Sequence, residues 1–152
     1  MALSQSTVVG QVRDLIATLT GLERVYAQSE NDANRIPDGI LECPCVIVLA
    51  GPTKEYLLTQ PRHAHAYEVR TLWFEDGPDS GERALSLLPM TDRLIEMLTD
   101  NVTFGGVVTY CMFRRSSGLA VLNWNDAEYD GMEITLEVRE TASTTAAVGA
   151  AP

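Results

Sequence analysis

The chain has 152 residues, 45% of them hydrophobic and 21% charged, which is enough for one domain with its own core and far from the composition of a disordered segment. Its formal net charge of −10, from 21 acidic and 11 basic residues, argues against duplex DNA as a tightly held ligand, because phosphate binding needs clustered Lys and Arg. No apolar run reaches the ~18 residues of a membrane span, and Met1–Ser6 lacks the basic and apolar regions of a secretory leader, so a soluble protein made in the cytoplasm, with no membrane partner, is expected.

Apolar residues at Val8, Val12, Leu15, Ile16 and Leu19 share one side of a helical wheel, so the first element reads as an amphipathic helix. Ser4 or Ser6 can cap its start, and Gly21 stands where helices commonly stop. Leu22 to Ile40 reads as irregular, with a polar stretch at Ser29–Asn34 and a turn signature at Pro37-Asp38-Gly39. Cys45–Ala50 is a short β-branched apolar run between Pro44 and Gly51-Pro52, the pattern of a central buried strand. Lys54–Arg62 reads as a connecting loop or frayed edge, and His63–Glu75 as a longer strand covered on both faces.

A second helix is expected from Glu82 to Asp100. Asp79 and Glu82 have capping-box spacing, and Leu85, Leu88, Leu94, Ile95 and Leu98 form the buried stripe, with a kink or break at Pro89. Strands are expected at Val107–Arg114 and Ala120–Trp124, joined by a Ser116-Ser117-Gly118 turn. After a turn at Ala127–Gly131 comes the cleanest alternating strand, Met132–Arg139. Thr141–Pro152 has no charge and no large side chain, so a single domain over 1–140 with a flexible tail over 141–152 is expected. The fold class read from this order is α+β: a mainly antiparallel sheet of four to five strands with two main helices on one face.

The dinucleotide, phosphate-loop, serine-elbow and metalloprotease motifs are missing, and one lysine with two histidines gives a thin stock of acid–base groups near neutral pH. No catalytic residue, cofactor or enzymatic activity is therefore assigned. Cys43, Cys45 and Cys111 are an odd number, which fits free buried thiols better than a disulfide framework. One alternative is a small zinc-binding domain. Cys43 and Cys45, and His63 and His65, are each two residues apart, so each pair shares a strand face and four ligands could meet if the strands were neighbours.

Asp126 to Glu140 carries six acids against one base, Arg139. Arg114 and Arg115, read as standing at a hairpin tip, are suited to bidentate pairing with carboxylates. Glu133 and Glu137 on a neighbouring subunit are their candidate partners, which makes Arg114, Arg115, Glu133 and Glu137 the expected subunit-interface residues. Trp73 and Trp124 read as core residues.

Three features together give the sequence a resemblance to the tail terminator (tail completion) proteins of long-tailed phages. They are the amphipathic first helix with its long irregular sequel, the helix Glu82–Asp100 running into Asn101–Val108, and the closing strand Tyr129–Val138. The likeness extends from about Ser4 to Glu140 and is one of element order and local flavour. It implies a virion structural protein forming a homo-oligomeric ring, hexameric in the family's pattern, that caps the tail tube and stops its polymerisation. Such a ring contacts the tail tube protein and the head–tail connector, and passes viral DNA through its lumen without binding it. Other phage neck components share this size and order and are the alternative.

Overall fold

The computed structural model describes residues 5–27, 43–59, 62–75, 85, 87–104 and 108–143. Among them the chain forms two helices, α1 (Gln5–Ala17) and α2 (Leu87–Asp100), and six strands. The strands are β1 (Arg24–Ala27), β2 (Cys45–Thr59), β3 (Arg62–Glu75), β4 (Tyr110–Ser116), β5 (Ala120–Trp124) and β6 (Ala127–Ser143). They make one mixed sheet in the order β1-β2-β3-β6-β4, with β5 also paired to β6. The architecture is α+β. The sheet is wider than the four to five strands expected and is not purely antiparallel, because Arg24–Ala27 adds a parallel strand alongside Cys45–Val48. Four residues inside a stretch read as irregular are too few to display alternation.

The helices form because their apolar residues recur once per turn on one side. Val8, Val9, Val12 and Ile16 of α1 and Leu87, Leu94 and Leu98 of α2 are all buried. They join Val46 and Val48 of β2, Tyr67, Val69 and Trp73 of β3, and Met132, Ile134, Leu136 and Val138 of β6 in one cluster. Fully burying each of these side chains contributes roughly 1.5–3 kcal/mol, and the largest fully buried one is Trp73, whose indole N–H donates to the Thr71 hydroxyl at 2.8 Å. Both helices therefore pack on one face of the sheet. Strand alternation sends Cys45, Ile47, Leu72 and Phe74 to the other face, where Leu122, Trp124 and Tyr129 pack against them.

Several expectations need correction. Pro89 sits in the first turn of α2, where a missing N–H leaves no intrahelical bond unmade, and the residues just before α2, on which the expected break turns, lie largely outside the described residues. The Asp79–Glu82 capping box lies outside the described residues. Lys54–Thr59 is the continuation of β2, paired with β3 as far as Thr59↔Arg62, with register shifts between Ala50 and Glu55. A bulge absorbs the Gly51-Pro52 interruption that reads as a strand end in sequence. β6 begins at Ala127, so the hairpin turn is Asn125-Asp126, both at positive φ (52° and 69°), and not Ala127–Gly131. Strand β6 also runs to Ser143, three residues past the expected end of the domain at Glu140, paired with β3 at Arg62–Ala64.

Ser116-Ser117-Gly118 is not a hairpin turn either. β4 and β5 run in the same direction along one edge of β6, β4 opposite Ile134–Arg139 and β5 opposite Ala127–Gly131. The intervening residues form a bulge held by Ser117 N–H to the Glu133 carbonyl and Glu133 N–H to the Ser117 hydroxyl, both 2.9 Å. Arg114 and Arg115 thus lie within a strand edge, not at a tip.

Gly131 is where β6 passes closest to β3: a Cβ there would stand 1.8 Å from the Trp73 carbonyl oxygen, a backbone atom that cannot move aside. Gly131→Ala should lower unfolding free energy by about 3 kcal/mol or more, as overpacking against fixed backbone does. Asp126→Gly should raise it by about 1 kcal/mol, since glycine removes the cost of a left-handed residue. Urea unfolding of the two variants checks both signs.

Candidate functional site

The sheet face turned away from the helices carries a charged lattice at the β3–β6–β4 end. Alternation on β3 puts Glu68 and Arg70 on this face, and on β6 it puts Glu133, Thr135 and Glu137 there. Register then sets Glu68 directly across from Glu137 and Arg70 across from Thr135, so two carboxylates stand side by side. Like charges so placed repel, and arginines on both flanks offset that repulsion. Arg114 donates to Glu137 at 3.1 Å, where the Tyr110 hydroxyl also donates at 3.2 Å. Arg115 reaches Glu68 at 3.1 Å, and Arg70 Nε donates to Glu133 at 2.8 Å.

All four residues singled out in sequence, Arg114, Arg115, Glu133 and Glu137, belong to this lattice. The structure brings Arg114 and Glu137 together within one chain, while Arg115 and Glu133 take Glu68 and Arg70 as partners. Sequence reading missed Glu68 and Arg70 because the imperfect alternation of β3 did not reveal which of its residues shared a face with Glu133 and Glu137. The bulge between Phe113 and Arg115 lets two consecutive arginines both reach acids on this face.

The pairs differ in setting. The Arg115 side chain is 59% exposed but its partner Glu68 is only 6% exposed, whereas Arg93 and Glu96 on α2 are both mostly in water at 61% and 67%. Removing Arg115 leaves a buried carboxylate without its cation, a change that costs more than losing an exposed pair.

The zinc-ligand candidates do not converge. Cys45 pairs with Phe74 and His65 with Tyr56, so nine residues of β3 separate Phe74 from His65, about 30 Å along the strand, and His63 opposite Leu58 lies further still. Cys43 packs with Cys45 against the cluster on the far face. Among the described residues no three His, Cys, Asp or Glu side chains gather at metal-binding distance. The register of the β2–β3 ladder therefore corrects the four-ligand reading: adjacency of the strands was met, but at opposite ends.

On the helix side, Tyr67 and Glu140 are buried near Cys111, and the Tyr67 ring lies 5.2 Å from His65. Burial first, then the negative charge of Glu140, holds the Tyr67 hydroxyl far above its ordinary pKa. Burial pushes the Cys111 thiol up to about 12. Both groups stay protonated near neutral pH, and Cys111 is a buried core side chain.

No protein-family model matches the chain, and comparison with curated proteins finds no significant match. Among the described residues no helix is long and apolar enough to cross a membrane.

Two predictions follow from the local physics. A double-mutant cycle on Arg115 and Glu68 should give a coupling of about 1–2 kcal/mol, against about 0.3–0.5 for Arg93 and Glu96. Equal couplings in thermal or urea unfolding would show that Glu68 is not effectively buried. Cys111 should resist alkylation at pH 8 until the protein unfolds. Because the buried thiol keeps its proton while the unfolded chain's thiol loses it near 9, Cys111 should also make stability fall as pH rises from about 9 towards 12, a component that Cys111→Ala removes.

Proposed function

We propose that the protein is a non-enzymatic assembly subunit, a phage tail terminator that forms a ring on copies of itself, caps the tail tube and joins it to the head connector. The observation that carries this reading is the charged lattice at an open sheet edge. Arg114 and Arg115 retain substantial exposure while bound to Glu137 and Glu68, which holds their guanidinium planes in fixed positions beside the exposed Met112. Pre-ordered arginines flanked by apolar surface are what a specific protein interface uses, since little side-chain entropy remains to be lost on contact. In a ring each subunit presents one patch to a different patch on its neighbour. The lattice is one such patch, with Arg114, Arg115, Glu133 and Glu137 as its interface residues.

The charge balance supports the same reading. A subunit of net charge −10 does not hold DNA, and a ring built from it presents passing phosphates with a repulsive wall. Within this reading the protein resides in the virion neck, its partners are the tube and connector proteins, and it carries no cofactor. Residues 144–152 lie outside the described residues.

Native mass spectrometry across a range of concentrations tests the proposal. A metal-free species at six times 16.6 kDa, about 100 kDa, is expected. A chain that stays monomeric at every concentration, both alone and mixed with tail-tube subunits, contradicts it.

A further inference from the structure

The acids and arginines of the charged lattice are unequally exposed. The Arg70, Arg114 and Arg115 side chains are 43%, 39% and 59% exposed, and their partners Glu133, Glu137 and Glu68 are 28%, 20% and 6% exposed. The carboxylates lie beneath and the guanidinium groups above, so a chain of net charge −10 presents cations at this one place. Nor are the donors used up. Arg114 donates to Glu137 through Nη1, and Arg115 to Glu68 through Nη2. The Nε–H and the other Nη–H groups of both arginines have no acceptor among the described residues.

The converse holds at the start of β6. Pairing of β3 with β6 stops at Glu75↔Asp130, whereas pairing of β5 with β6 goes on to Trp124↔Ala127. Ala127–Tyr129 and the Asn125-Asp126 turn thus form a two-stranded arm, about 10 Å long, beyond the last β3 pair. Trp124 and Tyr129 both meet the buried Phe74 ring edge-on, with centroids 6.2 and 5.6 Å away, which fixes the root of the arm. Asp126 and Glu128 on the arm are exposed, and neither has a cation among the described residues. Glu128 and Glu137 are nine residues apart on one extended strand, about 30 Å. The arm of a chain therefore cannot reach its own arginine face, and the two complementary patches can meet only between chains.

We infer that the β5–β6 arm of one copy docks on the arginine face of another, with the Asp126 and Glu128 carboxylates accepting from the free N–H groups of Arg114 and Arg115. The inference rests on the ring reading and names the second patch that such a ring requires. Two unlike patches at separate places on one chain make a heterologous contact, which passes from copy to copy and closes where the rotation allows. Guanidinium groups already held by carboxylates beneath them lose little freedom when a second carboxylate arrives, and their planar forks suit it.

The test is sedimentation velocity of the full chain over a range of concentrations and salt. The wild type should self-associate, and more weakly as salt is raised. Neutralising the arm with Asp126→Asn and Glu128→Gln should weaken association about tenfold per contact, and neutralising the face with Arg114→Gln and Arg115→Gln should do the same. Glutamine keeps an N–H for Glu137 and Glu68. All four changes in one chain should weaken association little more than either pair alone, since both pairs remove one contact. Arg93→Gln, exposed on α2, should change nothing. The arm variant sits on exposed positions, so it tests the contact even if the arginine variant fails to fold. Association that the arm variant leaves intact, or effects of the two pairs that simply multiply, overturns the inference while the ring reading stands on another patch. A wild type that is monomeric throughout, alone and with tail-tube subunits, overturns both. Binding of a short DNA duplex that the arginine variant abolishes would assign the face to phosphates and overturn the inference as well.

Discussion

Strand β6 is paired along both edges, and most of what the molecule presents depends on that. One edge takes β3 without interruption from Glu75↔Asp130 to Arg62↔Ser143; the other takes β5 and then β4, end to end. Strand alternation does the rest. Met132, Ile134, Leu136 and Val138 face the helices and close the core, and Glu133, Thr135 and Glu137 face away. A slip of one residue would exchange the two sets and bury the carboxylates under α1 and α2, so the register is strongly specified. Gly131 marks the point of closest approach, where a side chain would collide with the Trp73 carbonyl.

The charged lattice is a consequence of this register. Opposing Glu68 and Glu137 across β3 and β6 would be unfavourable by itself. The bulged edge strand β4 supplies Arg114 and Arg115 where the two acids need cations, and the Ser117 bulge keeps β4 and β5 on the same ladder. The edge strand thereby acquires two unlike faces. One carries the paired charges of the lattice; the other carries the exposed Phe113 and Val121.

The helices and the alternating strand were legible in sequence because each repeats its apolar residues at a period that only one secondary structure satisfies. Cys45–Ala50 and Ala120–Trp124 were legible instead as short apolar runs bounded by turn residues. β1 was not legible, since four residues carry no period. Lys54–Thr59 was read as loop because Gly51-Pro52 looks like punctuation, and only the long-range pairing with β3 keeps the chain extended through it. The direction of β5 relative to β4 was hidden as well. Ser-Ser-Gly suits a hairpin turn and a bulge equally, and the choice is made by β6, which was still to come in the chain. For the site, sequence supplied Arg114, Arg115, Glu133 and Glu137 from residue type alone. It could not supply Glu68 and Arg70, nor the end-to-end separation of Cys45 from His65, because both are properties of strand register.

Backbone hydrogen exchange measured residue by residue reads that register directly. With β6 paired on both edges, the amides of Met132–Val138 should be among the slowest in the protein, exchanging only through global unfolding. The outward amides of β4 and β5 should exchange at least about a hundredfold faster, as open-edge groups do. Protection of Glu133–Glu137 no greater than that of β4 would mean that β6 has an open edge. The lattice and the two-faced edge would then both have to be given up.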